Sequence, residues 1–202
     1  MSIVNQRSRR RRYESPLREQ QAAATRDRIL EGLVKTMADG LAEVSIPAVA
    51  RAAGVSVATV YRHFATKQAL FDAMPDYIGR RTGANTLRPP GSYEELERSI
   101  ESVFRNIEGV DDVMRAAMES PLGDVARRAQ MPARLRFIDD TVDALAGDLA
   151  EPARGRVTRL LLVLSSSGAQ RMLSAAGLDA RSAAEDAAWA VRTIIEAETA
   201  NR

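Results

Sequence analysis

"AGVSVATVYRHFATKQAL", residues 53 to 70, decides how this chain is read. It holds the chain's one histidine, His63, between Arg62 and Phe64 and just before Thr66-Lys67. Gly54 suits the left-handed conformation that follows a helix. Ser56 and Thr66 suit the start of one, because a side-chain oxygen can accept from the free N–H groups of a first turn. Between these caps, residues 57 to 64 divide into two faces at 100° per residue. Val57, Val60 and Phe64 share an arc that can pack against preceding helices. Ala58, Thr59, Arg62 and His63 lie opposite, with Tyr61 at the edge. Two short helices joined by Gly54-Val55-Ser56 make a helix-turn-helix, whose second helix enters the major groove of DNA. A helical hairpin inside a core would leave Arg62 and His63 no reason to share an exposed face.

Upstream, Ser45 caps the first of the two short helices, with Ile46, Val49 and Ala50 turned inward and Pro47 still in the first turn. A longer helix precedes it, starting at Ser15-Pro16. Its apolar stripe of Ile29, Leu30, Leu33, Val34 and Met37 ends at Gly40. Downstream, Leu70, Phe71 and Met74 continue the helix capped by Thr66, and Pro75 should kink or end it. "GANTLRPPGS" (83 to 92) reads as a linker, and Ser92 with Glu95 forms a capping box for the stripe Leu96, Ile100, Val103, Phe104 and Ile107. A short helix is predicted near 111 to 119, and Leu135, Ile138, Val142 and Leu145 mark another that ends at Gly147. A long helix is predicted from Pro152 to Gly177, with Ser165, Ser166, Ser167, Gly168 and Ala169 as small residues in its middle. The last helix, capped by Asp179, turns Ala183, Ala187, Ala190, Val191, Ile194 and Ile195 inward. No internal repeat is present.

The composition narrows the class. Hydrophobic residues make up 45% of the 202-residue chain and charged residues 28%, an ordinary globular balance. Alanine is abundant and no segment alternates apolar and polar residues for long, so the expected fold is all-α. With no cysteine and one histidine, thiolate zinc sites, disulfides and a thiol nucleophile are excluded, and no metal site or cofactor is expected. The longest apolar run, Leu160 to Leu164, is far below the ~18 residues of a membrane span. No apolar segment follows the N-terminal charges as in a signal peptide, and the default location is the cytoplasm.

The net charge of +2 hides an asymmetry. Residues 1 to 70 carry 12 basic against 6 acidic side chains, whereas residues 71 to 202 carry 17 against 21. Arg7, Arg9, Arg10, Arg11 and Arg12 crowd into residues 1 to 14, an arm too charged to pack and expected to be disordered. A basic N-terminal third implies a polyanionic partner at one end only.

From "TRDRIL" through "SIPAVARAAGVSVATVYRHFATKQAL", roughly residues 25 to 74, the sequence closely resembles the DNA-binding motif of the TetR family of transcriptional regulators. The resemblance implies that Ser45, Tyr61, His63 and Lys67 contact phosphates. It implies that Ser56, Val57, Ala58, Thr59 and Arg62 face the bases of a double-stranded operator. The chemistry agrees. Lys67 at a helix start can meet a phosphate beside free N–H groups, and Tyr61 and His63 can donate to phosphate oxygens. Arg62 can grip guanine O6 and N7 together, and Val57 and Ala58 can touch a thymine methyl. Ala58 stands where the family often has glycine. The arm, through Arg9, Arg10, Arg11 and Arg12, can enter an adjacent minor groove; a solubilising tail is the alternative.

The resemblance also implies three segments: the arm (1–14), a three-helix helix-turn-helix domain (15–74) and a helical domain (75–202) that binds a small molecule and dimerises through its last two long helices. A homodimer, a palindromic operator and an apolar or amphipathic effector are therefore expected, with release of DNA on binding. Candidate effector contacts are Phe104, Met114, Met118, Phe137 and Trp189. No membrane partner and no catalytic residue are expected, since a Ser-His-Asp apparatus would need the histidine that the DNA face claims. The alternatives are a ligand-independent structural DNA-binding protein of the same fold and an enzyme with an accessory DNA-binding domain.

Overall fold

A computed structural model describes residues 16–40, 44–83 and 87–200. Arg9, Arg10, Arg11 and Arg12 lie outside the described residues. Within them the chain forms eleven helices and no strand. The all-α expectation holds.

Helix α1 (Pro16–Ala38) is the spine of the first half, and α2 (Ile46–Ala52), α3 (Val57–His63), α4 (Lys67–Asp72) and α5 (Met74–Arg81) follow in quick succession. Ile29, Leu30 and Leu33 on α1 meet Val49, Val60, Phe64 and Leu70 in a core where none of these side chains is more than 2% exposed. Helix α4 stops at Asp72 and α5 restarts with Pro75 in its first turn, so the proline sits where its missing N–H costs nothing. The first core also reaches beyond residue 74. It takes Tyr77 from α5, and Met114 and Ala117 from α7 (Asp112–Glu119).

The second core is built from α6 (Tyr93–Glu108), α8 (Pro121–Ala146), α9 (Ala153–Leu164) and α11 (Ala180–Ala200). Ala183, Ala184, Ala187 and Ala188 form a small-residue stripe on α11, which lets its backbone lie close to α6, where Leu96, Ile100 and Phe104 fill the gap. Asp179 caps α11 by accepting the Ser182 N–H at 2.8 Å. Ser92 caps α6 by accepting the Glu95 N–H at 3.2 Å, but the Glu95 carboxylate reaches back to the Gly91 N–H instead of closing the box on Ser92.

Two predicted elements differ. Helix α8 begins fourteen residues before Leu135, capped by Ser120, and continues through Pro132. Gly123 permits this early start, because an added Cβ would lie 2.4 Å from the Met118 carbonyl at the end of α7. The long helix predicted from Pro152 to Gly177 is instead two helices, α9 and α10 (Ser167–Ala175), broken at Ser165-Ser166. The serines break it by local hydrogen bonding that competes with the helix ladder. Ser165 Oγ donates back to the Leu161 carbonyl at 2.7 Å, and Ser166 Oγ accepts the Ala169 N–H at 3.1 Å as a new cap.

Candidate nucleic-acid interface and the cavity beside it

Local hydrogen bonding sets the angle between α2 and α3. Gly54 adopts φ +64°, the Val55 N–H donates to the Ala50 carbonyl at 2.9 Å and the Gly54 N–H to the Arg51 carbonyl at 3.2 Å. Two of the carbonyls left free at the end of α2 are thereby satisfied and the chain turns sharply. Ser56 Oγ then accepts the Thr59 N–H at 3.0 Å and sits 2.9 Å from Thr59 Oγ1. Ser45 accepts the Ala48 N–H at 3.3 Å, and Thr66 the Ala69 N–H at 3.0 Å. All three short helices are capped by a side chain. Gly32 brings α2 close to α1, since a Cβ there would stand 2.8 Å from both the Ala53 methyl and the Val49 carbonyl oxygen.

The outer face of α3 presents Val57 (39% exposed), Ala58, Tyr61 (49% exposed) and Arg62, with Thr59 and His63 half-buried beside them. Val60 and Phe64 face the core as their arc predicts. Val57 does not: it occupies the first turn of a seven-residue helix, which projects past the core, so it stays outside with the DNA-facing set. No carboxylate among the described residues pairs with Arg62. Lys67 is half-buried on the first turn of α4, its ammonium 5.7 Å from the centroid of the Phe71 ring. Burial, then the charges of Arg62 and Arg26, hold the His63 imidazole below its ordinary pKa and favour the neutral ring.

One residue of this site is absent from the sequence-based set. Arg26 on α1 donates to the His63 carbonyl at 3.1 Å, and its guanidinium lies 4.1 Å from the centroid of the Phe64 ring. It thus holds the negative end of the α3 dipole and stacks on the residue that anchors that end. Asp27, the next residue, pairs with Arg80 of α5 at 2.9 Å.

A partly open cavity of about 370 Å³ lies among α5, α6, α7, α8 and the α9–α10 break. Its apolar walls are Ile78, Leu87, Val103, Ile107, Met118, Phe137 and Ile138. Polar groups come from Thr82, Arg127, Gln130, Arg134, Ser165 and Ser167. Of the residues expected there, Met118 and Phe137 line it. The other three do not. Phe104 is wholly buried in the second core, Met114 is buried in the first, and Trp189 is 67% exposed on α11. Among the described residues no cluster could hold a metal ion, and no helix is long and apolar enough to cross a membrane.

Two short helices meeting at a left-handed glycine, the second with a bare Tyr-Arg face, make a helix-turn-helix DNA-binding unit. Residues 29–74 match the model of the bacterial regulatory proteins of the tetR family. The chain is a DNA-binding transcriptional regulator, and its helix-turn-helix segment is of the tetR family. A comparison of the chain with curated proteins finds no match.

Proposed function

We propose that the protein is a repressor that binds a palindromic operator as a homodimer and releases it when a small amphipathic molecule fills the cavity. Tyr61, His63, Lys67 and Ser45 take phosphates. Arg62, with Val57, Ala58, Ser56 and Thr59, reads base edges, and the arginine arm reaches the neighbouring minor groove. The observation that carries the ligand-release reading is the double duty of α5. Its Met74 and Tyr77 are buried in the first core, while its Ile78 and Gly79, with Thr82 at its C-terminal cap, line the cavity. A ligand that displaces α5 pulls Arg80 against Asp27 on α1. The adjacent Arg26 carries that shift to the end of α3. The spacing of two recognition helices in a dimer then no longer matches the half-sites. A filled interior would have favoured a ligand-independent DNA-binding protein; the cavity argues against it.

The dimer reading rests on exposed apolar side chains of the last three helices. Val163 on α9, Met172 on α10 and Trp189 on α11 are 60%, 77% and 67% exposed in one subunit, the kind of surface that a partner covers.

The test is selection of an operator from random duplex DNA, followed by titration with compounds that raise the protein's melting temperature. Enriched sequences lacking an inverted repeat would remove the dimer-on-palindrome reading. An operator affinity indifferent to every stabilising compound would remove ligand release.

A further inference from the structure

The cavity is unusual in its charge. It sits in the acidic part of the chain, yet among the described residues no Asp or Glu lines it, while Arg127 and Arg134 do. Arg127 is partly answered, by an ion pair with Asp124 on the same helix and by the Met118 carbonyl at 3.1 Å. Arg134 has no carboxylate partner among the described residues. Its guanidinium donates only to backbone carbonyls at the broken end of α9, that of Ser165 at 3.2 Å and that of Leu162 at 3.5 Å. Burial, and after it the positive charge of Arg127, lowers the pKa of this half-buried group, so its charged form is disfavoured where it stands. An arginine half-withdrawn from water without a counter-ion is costly, and an anion arriving from solution would relieve that cost.

The geometry fits such an anion. Arg127, Gln130 and Arg134 are spaced three and four residues apart on α8, which sets them on one face of the helix. Ser167 opens α10 at the same wall, bringing the positive end of that helix's dipole to the polar side. Val103 and Ile107 of α6 and, one turn beyond Arg134 on α8, Phe137 add apolar wall to the same cavity. The cavity therefore offers a guanidinium fork for a planar anion and apolar wall for a hydrocarbon body.

We propose that the effector of this cavity is an amphipathic carboxylate, its acid group held by Arg134 with Gln130 and Arg127 beside it and its apolar part lying against Val103, Ile107 and Phe137. The proposal rests on the reading of the cavity as the effector site and names the chemical class of that effector.

The test uses the full chain and two matched pairs of probes: octanoate against 1-octanol, and 4-phenylbutyrate against 4-phenyl-1-butanol. Binding is read by calorimetry and thermal shift without DNA, and operator affinity is read separately. Each acid is expected to bind more tightly than its alcohol by about ten- to a hundredfold, the worth of a hydrogen-bonded charge. Arg134→Gln should abolish that preference, and Arg127→Gln should reduce it. Arg134→Lys, which keeps the charge and loses the fork, should keep part of it and also guards against loss of the α9 cap unfolding the protein. Equal or tighter binding of the alcohols, binding of neither member of a pair, or a preference that survives Arg134→Gln would overturn the proposal. Acids that bind through Arg134 without changing operator affinity would leave the anion site standing and overturn release. Alcohols that bind and release DNA as well as acids would do the reverse.

Discussion

Arg62 and Tyr61 stand side by side on α3, yet they predict different losses. Tyr61→Ala should weaken binding to every DNA sequence by a similar factor, because a phosphate contact carries no sequence information. Arg62→Ala should also relax base preference at one position per half-site, where a bidentate guanine contact discriminates by about 1–3 kcal/mol. Repeating the operator selection with each variant checks both, and unchanged preferences in Arg62→Ala would remove it from base reading. His63 adds a pH signature. Its pKa is lowered in the folded protein, so the native state binds fewer protons than the unfolded chain just below pH 6.5. Its contribution to stability is therefore complete above that pH and is lost as pH falls through the lowered value. Urea unfolding at pH 7.5 and 5.5 should show a larger loss for the wild type than for His63→Gln. A phosphate next to the ring acts the other way, so operator affinity relative to His63→Gln should rise over the same interval. Most of this surface was legible in advance because caps, a left-handed glycine and a two-faced helix are local signals. Arg26 was not, since its partners lie 37 and 38 residues away and no periodicity connects them.

At the scale of elements, two glycines support the interface for different reasons. Nothing lies within 4 Å of a Cβ added to Gly54, so Gly54→Ala bears only the cost of a left-handed residue, about 1–2 kcal/mol. Gly32→Ala faces the α2 backbone itself and should cost about 1–3 kcal/mol by forcing the two helices apart. It should also weaken operator binding, because α2 carries α3 with it. Denaturant midpoints at constant slope measure the first effect, and DNA titration of the two variants separates it from the second. Two elements depart from their hydrophobic pattern for physical reasons. The first half of α8 lacks a continuous apolar stripe because its inward face, with Arg127, Gln130 and Arg134, looks into a cavity and not into a packed core. Hydrophobic periodicity reports packing, so it falls silent along the wall of a cavity. Ser165 to Ser167 read as tolerable small residues within a helix, and only their hydrogen bonds show that they end one helix and begin another.

For the whole molecule, the exposed apolar side chains set a sharper test of assembly than the buried ones. Ala187 is 2% exposed and packs inside its own subunit, so Ala187→Arg should unfold the protein and says nothing about a partner. Trp189→Glu, on the open side of α11, should leave the monomer folded and shift micromolar protein from dimer to monomer in sedimentation. A wild type that is already monomeric at that concentration would sink the dimer. Deleting residues 1 to 12 should flatten the salt dependence of DNA affinity, whose slope is about −0.9 per phosphate neutralised. An unchanged slope would make the arm a solvated tail.

The place of α7 in the first core has a practical corollary. Met114 and Ala117 close a face of α1, although 77 to 88 residues separate them from its buried side chains, Ile29 to Met37. A gene fragment ending after α4 or α5 would therefore yield a polypeptide with a greasy flank bare to solvent, prone to stick to its neighbours and to proteases. Transplanting this DNA reader onto an unrelated domain calls for a graft that brings α7, or a substitute with its two apolar knobs. Simple cut-and-paste at the helix-turn-helix boundary should give inclusion bodies where the longer graft gives soluble protein.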